Sequence, residues 1–192
     1  SLGQMPDGNS YCVTRKPPAR LGPEKISVAI LPITGSDVFG RDEDIAFLDS
    51  AWASQDVNVV TIIAWAGVGK STLVNRWLRR MAVEHYRSAQ LVFGWSFYRQ
   101  GSSGGTSSAD EFLDVALAWF GDPDPRIGTP WEKGERLAKL IAHHRTLLVL
   151  DGLEPLQYPP GSQEGRVREP SVQALLRELA AFNRGLCVIT TR

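Results

Sequence analysis

The order of hydrophobic and polar positions divides most of the chain into apolar strands alternating with amphipathic helices. Four short runs, rich in branched aliphatic residues, are apolar at nearly every position and predict strands buried on both faces. These runs are residues 57–63, 91–97, 147–150 and 186–189. Segments with a one-sided apolar stripe separate them and predict crossover helices. The pattern therefore predicts an α/β fold, a three-layer αβα core around a mostly parallel sheet.

Polar residues indicate where several of these helices begin. Residues 108–111 have the composition of a capping box, and residues 129–132 form a second box with proline at the first helical position. Ser171 is the expected cap of the last helix. Acidic residues just after Gly40 open the first helix, where the helix dipole favours negative charge.

The first 36 residues follow a different pattern. They contain five prolines and only one short apolar stretch, residues 28–31. This composition is typical of an extended lead-in or linker. We therefore predict a lead-in over residues 1–36 and a single core domain over residues 37–192.

Composition and charge narrow the classes of function. Lys and Arg number 21, and Asp and Glu also number 21, so the formal net charge is zero. A balanced charge argues against bulk electrostatic binding of nucleic acid. The two cysteines lie far apart in the sequence, and no apolar run reaches the roughly 18 residues that span a bilayer. We expect a cytoplasmic protein with neither a membrane nor a nucleic-acid partner.

A glycine-containing loop follows the first strand and reads AWAGVGKS at residues 64–71. This is the pattern of a phosphate-binding loop, in which glycines turn backbone N–H groups inward and a new helix adds its positive end. Ala64 replaces the usual first glycine, at a position that we expect to be strand-like. Lys70 suits the β- and γ-phosphates, and Ser71, rather than Thr72, suits Mg²⁺. The residues predicted to contact the nucleotide here are Ala66, Gly67, Val68, Gly69, Lys70, Ser71 and Thr72.

Two later strands deliver further chemistry to the same edge of the sheet. Asp151 ends an apolar strand, which is the position of the Walker-B acid that holds Mg²⁺ in proteins with a phosphate-binding loop. Glu154 lies just beyond it and is a candidate to polarise an attacking water. Arg192 follows the fourth strand and is a candidate to sense the γ-phosphate. The predicted catalytic residues are Lys70, Asp151, Glu154 and Arg192, and the predicted metal ligands are Ser71 and Asp151.

Taken together, these elements resemble the STAND class of P-loop NTPases, which includes the NB-ARC and NACHT modules. The resemblance covers roughly residues 38–192. Residues 38–43 resemble the motif that packs beside adenine, and residues 93–100 resemble the NB-ARC segment after the first helix. Residues 151–154 are closer to the NACHT form than to the plant double-aspartate form. The residues that the resemblance places at the base or ribose are Val38, Phe39, Gly40 and Arg41.

The resemblance also implies cofactors and partners. Its members bind ATP or ADP with Mg²⁺, with ADP in a resting state and ATP in an active, assembled state. They continue into a fifth strand, a helical lid, a winged helix and a repeat sensor, whereas we expect this chain to end after the fourth core strand. We therefore expect those domains, and an N-terminal effector, as partners. The fragment would be a monomer with weak hydrolysis, and the full protein would oligomerise when active.

The sequence thus predicts a STAND-like ATPase core that acts as a nucleotide-dependent switch in a larger signalling or defence protein. Alternatives remain at this stage. One is a nucleotide-dependent oligomerisation module that does not hydrolyse ATP. A second is an AAA-type ATPase acting on nucleic acid, against which the neutral charge argues. A small-molecule kinase is a third, for which no acceptor pocket can be identified in the sequence.

Overall fold

A computed structural model describes residues 2–4, 10–12, 22–32, 40–98 and 108–192 of the chain. Its main feature is a sheet of five parallel strands, β3 (Lys25–Ser27), β4 (Val59–Ile63), β5 (Leu91–Ser96), β6 (Thr146–Asp151) and β7 (Leu186–Thr191). Their order in the sheet is β3-β5-β6-β7-β4. The predicted α/β architecture with a parallel sheet is confirmed.

Helices cover both faces of this sheet. They are α1 (Asp42–Ala53), α2 (Lys70–Val83), α3 (Ala109–Trp119), α4 (Pro130–Ala142) and α5 (Pro170–Ala181), with a left-handed turn at His85–Ser88 and a short 3-10 turn at Glu154–Leu156. Side chains of α1 and α2 form one buried cluster with alternate positions of β5, β6 and β7, and side chains of α3, α4 and α5 form the other. The predicted three-layer arrangement follows from this alternation, because successive strand residues point to opposite faces.

The strands β5, β6 and β7 are buried along their whole length, which explains their continuous apolar sequence. Cys187 lies inside β7, and burial raises its pKa to about 12. A thiol with so high a pKa stays protonated and unreactive at neutral pH. Cys187 is therefore part of the core and not a redox site.

Two of the three predicted helix caps are confirmed. Ser108 Oγ accepts a hydrogen bond from Glu111 N, and residues 129–132 form a complete capping box at the start of α4. The third prediction was wrong, since Glu169 is the N-cap of α5 and Ser171 is buried inside the helix. Pro170 takes the first helical position because its ring fixes a helical φ and it has no N–H to leave unpaired.

Two elements lie within the predicted lead-in. β3 pairs in parallel with β5 and forms one edge of the sheet, so the sheet has one strand more than the sequence predicted. Further upstream, Leu2–Gln4 (β1) and Ser10–Cys12 (β2) pair antiparallel as a separate two-stranded sheet. The pairing of β3 joins part of the lead-in to the core, and the domain limit at residue 37 stays a prediction.

The register brings the carboxyl ends of the strands to one edge. Ser96 and Asp151 are direct partners across β5 and β6, and Ile63 and Thr191 are partners across β4 and β7. The loop after β4 therefore lies beside the end of β7, one strand away from Asp151. In open parallel sheets ligands bind at this edge. No helix in the described part of the chain is long and apolar enough to cross a membrane.

Candidate functional site

The loop between β4 and α2 has the backbone of a phosphate cradle. Gly67 and Gly69 have φ of 81° and 83°, in the left-handed region that favours glycine. α2 begins at Lys70, so the first N–H groups of this helix face the loop without helical partners. Backbone N–H groups and a helix N-terminus together form a site suited to an oxyanion. Ala64 lies one residue past the end of β4, has no positive φ, and its N–H donates to Thr191 O of β7 at 3.3 Å. A glycine is therefore not required at this position, and the strand-like backbone stays a prediction.

Lys70 closes the inner side of this loop. Its Nζ donates to Ala64 O at 2.6 Å and to Trp65 O at 3.1 Å. An ammonium group has three donors, so one remains for a ligand in this arrangement. The positive charge therefore lies inside the loop, at the wall of the cavity that the loop borders.

Asp151 lies at the centre of a hydroxyl network behind the loop. The residue is 3% exposed, and its Oδ1 accepts hydrogen bonds from Ser71 Oγ at 2.7 Å and Thr190 Oγ1 at 2.8 Å. Ser96 Oγ lies 3.2 Å from Oδ2, and Thr190 Oγ1 in turn accepts from Gly152 N at 2.8 Å. The network joins α2, β5, β6 and β7 through one carboxylate and fixes its orientation.

The oxygen set around Ser71 and Asp151 fits Mg²⁺. This ion prefers hard oxygen ligands and usually takes only one or two from protein, with phosphate and water supplying the rest. In the described residues, no group of three or more His, Cys, Asp or Glu side chains could hold a metal on its own. The site therefore fits an ion shared with phosphates, not a closed all-protein metal centre.

Glu154 and Arg192 face each other across the outer part of the site. Arg192 Nε is 3.9 Å from Glu154 Oε1, at the limit of an ion pair, and the Arg192 side chain is 56% exposed. The other carboxylate oxygen, Glu154 Oε2, is buried and has no hydrogen-bond partner in the described structure. A buried acceptor without a partner is costly unless a ligand or water occupies it. This oxygen therefore has one free position for a polar atom.

A cavity of about 230 Å³ connects these groups. Its lining residues are Ala66, Gly67, Lys70, Ser71, Tyr98, Gly152, Glu154, Thr190 and Arg192. Three of the four predicted catalytic residues line this cavity, while Asp151 lies behind Ser71 and contacts it directly. The structure thus brings Lys70, Asp151, Glu154 and Arg192 to one rim, as the sequence analysis expected from their strand-terminal positions.

The predicted base-binding segment is only partly described. Val38 and Phe39 lie outside the described residues. Gly40 has a φ of 74°, and the adjacent Arg41 Nη2 donates to Val68 O at 2.8 Å. This bond ties the segment before α1 to the outer side of the phosphate-type loop. The role of these residues toward a base or ribose stays a prediction.

The remaining loop residues differ in exposure. Val68 is 41% exposed and Trp65 is 83% exposed, so both are available to a ligand or another domain. Thr72 is half-buried in the first turn of α2, and its Oγ1 lies near the position that a Cβ on Gly69 would take. Its side chain therefore packs beneath the loop, and its contact with nucleotide stays a prediction.

Sequence reasoning missed two residues of this site, Ser96 and Tyr98. Ser96 is the register partner of Asp151 and reaches its carboxylate, and Tyr98 lines the cavity two residues further on. Burial raises the pKa of Tyr98, the Arg192 guanidinium opposes that rise, and the Glu154 carboxylate adds to it. Their position at the end of an apolar strand was the available signal, since ligands gather at that edge.

Comparison with known protein families decides the class of this site. The NACHT domain family matches residues 58–192, which include the loop after β4, Asp151, Glu154 and Arg192. The chain belongs to the NACHT family. No curated protein matches the chain. NACHT domains are nucleotide-binding P-loop NTPases of the STAND type and typically bind nucleotide with Mg²⁺, so the resemblance from the sequence is confirmed.

Proposed function

We propose that this NACHT domain binds ATP and ADP with Mg²⁺ and acts as a nucleotide-dependent switch in a larger signalling or defence protein. The observation that carries the proposal is the convergence on one cavity of a glycine cradle, the Lys70 ammonium and the buried Asp151. Each of these groups suits a polyphosphate and its cation. Nothing else in the described chain combines these three features.

The phosphates would lie along the loop, against the free N–H groups at the start of α2. Gly67 and Gly69 keep that backbone close to the ligand, and Lys70 would turn one donor toward the β- and γ-phosphates. The segment Val38, Phe39, Gly40 and Arg41 would contact the base or ribose. The bond from Arg41 to Val68 O supports this placement, because it keeps that segment next to the loop.

Ser71 and Asp151 would hold the Mg²⁺ ion, directly or through water. The ion supplies charge neutralisation at the β- and γ-phosphates. The buried network keeps the Asp151 carboxylate fixed by three hydroxyl groups. Glu154 would orient an attacking water through its unpartnered Oε2, and Arg192 would contact the γ-phosphate.

The switch role rests on the family. STAND proteins alternate between an ADP-bound resting state and an ATP-bound assembled state. We infer the same cycle here, with a lid, a winged helix, a sensor and an effector as cytoplasmic partners. Residues 37–192 would be the nucleotide-binding domain, monomeric alone and oligomeric in the active full-length protein.

The proposal is tested by nucleotide binding to the purified chain. We expect adenine nucleotide to co-purify with the wild type, and calorimetry to show Mg²⁺-dependent binding of ADP and ATP. Lys70→Ala should lose both. Lys139→Ala is the matched control, since Lys139 is exposed on α4 away from the cavity, and it should bind as the wild type does. Equal binding by wild type and Lys70→Ala would contradict the proposal.

One observation favours a second candidate, a switch that binds nucleotide and assembles without hydrolysis. The ion pair between Arg192 and Glu154 is loose, at 3.9 Å, so these two side chains do not hold each other firmly where the γ-phosphate would lie. Efficient hydrolysis depends on groups held firmly around the transferred phosphoryl. Near-zero and equal phosphate release by wild type and Glu154→Gln would favour this second candidate.

A further inference from the structure

Tyr98 is held at the same strand end as Asp151. Tyr98 N donates to Ser96 Oγ at 3.3 Å, and Ser96 Oγ is also 3.2 Å from Tyr98 O. The intervening Phe97 is fully buried, and its N–H donates to Asp151 O at 2.9 Å. The backbone of Tyr98 is thus attached to the sheet, although its side chain is 41% exposed at the cavity.

The Tyr98 ring lies directly over Gly152. A Cβ added to Gly152 would come within 2.6 Å of Tyr98 Cε2, and it would lie 3.6 Å from Glu154 Oε2. The ring and the unpartnered carboxylate oxygen therefore meet at this one glycine. Gly152 also has a φ of 70°, so both its backbone and its lack of a side chain allow the approach.

Tyr98, Glu154 and Arg192 line the same cavity, and the pKa of Tyr98 is raised by the Glu154 carboxylate and lowered by the Arg192 guanidinium. A phenol can accept from a guanidinium and donate to a carboxylate at the same time. The ion pair of Arg192 with Glu154 is loose, at 3.9 Å, so a hydrogen bond from the guanidinium to the phenol would add to what holds Arg192 at the cavity. The phenol is in the right place to supply it.

We propose that Tyr98 is a positioning residue that holds Arg192 and Glu154 at the terminal phosphate and so lets the site distinguish ATP from ADP. The inference rests on the proposed function, because it assumes that nucleotide phosphates occupy the cavity. Tyr98 acts through Arg192. Its hydroxyl, and not only its ring, is required.

The test is a double-mutant cycle read out by nucleotide affinity. The dissociation constants of ADP and of a non-hydrolysable ATP analogue, both with Mg²⁺, are measured for wild type, Tyr98→Phe, Arg192→Gln and the double variant. Tyr98→Phe keeps the ring over Gly152 and removes only the hydroxyl. We expect it to weaken the ATP analogue about fivefold, the worth of one hydrogen bond, and to leave ADP within about twofold.

The double-mutant cycle also tests whether Tyr98 acts through Arg192. In the Arg192→Gln background, Tyr98→Phe should add less than about twofold, because residues that act through one another are not additive. Tyr158→Phe is the matched control. Tyr158 is 40% exposed in the loop after β6 and does not line the 230 Å³ cavity. The ratio of the dissociation constants of ADP and the ATP analogue should therefore be the same for Tyr158→Phe as for the wild type.

The outcomes separate the two proposals. If the wild type binds neither nucleotide, the proposed function fails and this inference fails with it. If the wild type prefers the ATP analogue and Tyr98→Phe keeps the same ratio, only the role of Tyr98 is overturned. Equal weakening of ADP and the ATP analogue, or a lowered melting temperature of Tyr98→Phe, would show a structural role and overturn it as well. Equal affinity of the wild type for both ligands would also contradict it.

Discussion

The two ends of the sheet both carry clusters of charged residues, but they use them differently. At the amino end, Asp49 of α1 accepts hydrogen bonds from Trp77 Nε1 at 2.9 Å and Arg87 Nη1 at 2.7 Å, and it lies 3.3 Å from Arg80. Arg87 also makes two short bonds to Glu84, at 2.6 and 2.8 Å. Every carboxylate of this amino-end cluster is paired with a cation.

At the carboxyl end the charges are arranged differently. Among the described residues, Asp151 accepts from three hydroxyl groups and pairs with no cation, Glu154 keeps a buried oxygen without a hydrogen-bond partner, and the ion pair of Arg192 is loose. Charges that pair with one another leave no group for a ligand, whereas charges that face a cavity without a partner are available to one. The difference indicates a structural amino end and a functional carboxyl end.

The amino-end cluster includes a turn with a strained backbone. Residues 85–88 all have positive φ, between 44° and 64°, and none is glycine. Such a conformation costs about 1–2 kcal/mol for each residue. The ion pairs of Arg87 with Glu84 and Asp49, together with the bond from Trp52 Nε1 to Arg87 O, fix this turn. The ion pairs at this end of the sheet therefore hold the turn in its strained conformation.

The largest effect should come from Glu154→Gln. If Glu154 orients the attacking water, the amide cannot accept its proton, and phosphate release should fall by about 10²- to 10⁴-fold while nucleotide affinity is retained. Phosphate release under saturating ATP and calorimetry measure the two quantities. Glu164→Gln is the control, since Glu164 is an exposed acid in the same loop and should behave as wild type. A parallel loss of affinity would assign Glu154 to binding.

Asp151→Asn should weaken the binding of Mg²⁺. The asparagine can still accept from Ser71 and Thr190, so the fold should survive, but the charge that attracts Mg²⁺ is gone. Adding Mg²⁺ should raise the ATP affinity of the wild type. In the variant this Mg²⁺-dependent increase should be smaller by a factor on the order of 100. Titrations with Mg²⁺ and with a chelator give this ratio. If the ratio of the ATP affinities with and without Mg²⁺ is the same in both proteins, Asp151 does not hold the metal.

The sequence was sufficient for the parts of this fold that depend on local patterns. Four apolar strands, the loop of residues 64–71 and the strand-terminal Asp151 and Arg192 were all predictable, because apolar runs and glycine spacing are readable in one short window. The prediction that all four strands are buried on both faces was wrong for β4, which lies at the edge of the sheet and leaves Ile63 69% exposed. The capping box at residues 129–132 was predictable for the same reason. These features hold the candidate site in place.

What was not predictable depends on pairing or on context. β3 has three residues, one of them Lys25, so it lacks an apolar run and is defined only by its contact with β5. Tyr98 joins the site because β5 ends beside β6, which is a matter of register. The turn at residues 85–88 contains no glycine and so gave no signal of positive φ.

Asp49→Asn should show the structural role of the amino end. The substitution removes the ion pairs to Arg87 and Arg80 and should lower the free energy of unfolding by about 2 kcal/mol, the worth of a charged hydrogen bond. Nucleotide affinity of the folded variant should stay unchanged. Chemical denaturation and calorimetry measure both, with Asp56→Asn as an exposed control. A loss of affinity without a loss of stability would reverse the contrast between the two ends.

The smallest effect should be a pH dependence at the amino end. The hydrogen bond from Arg87 holds the pKa of Glu84 below its ordinary value of 4.5. A carboxylate with a lowered folded pKa contributes stability above its unfolded pKa and loses it as the pH falls through the folded value. Wild type should therefore be more stable than Glu84→Gln at pH 7, and the gap should narrow below pH 4.5. Urea midpoints of both proteins at several pH values measure the gap, and a gap that is constant with pH would show that the ion pair with Arg87 contributes nothing.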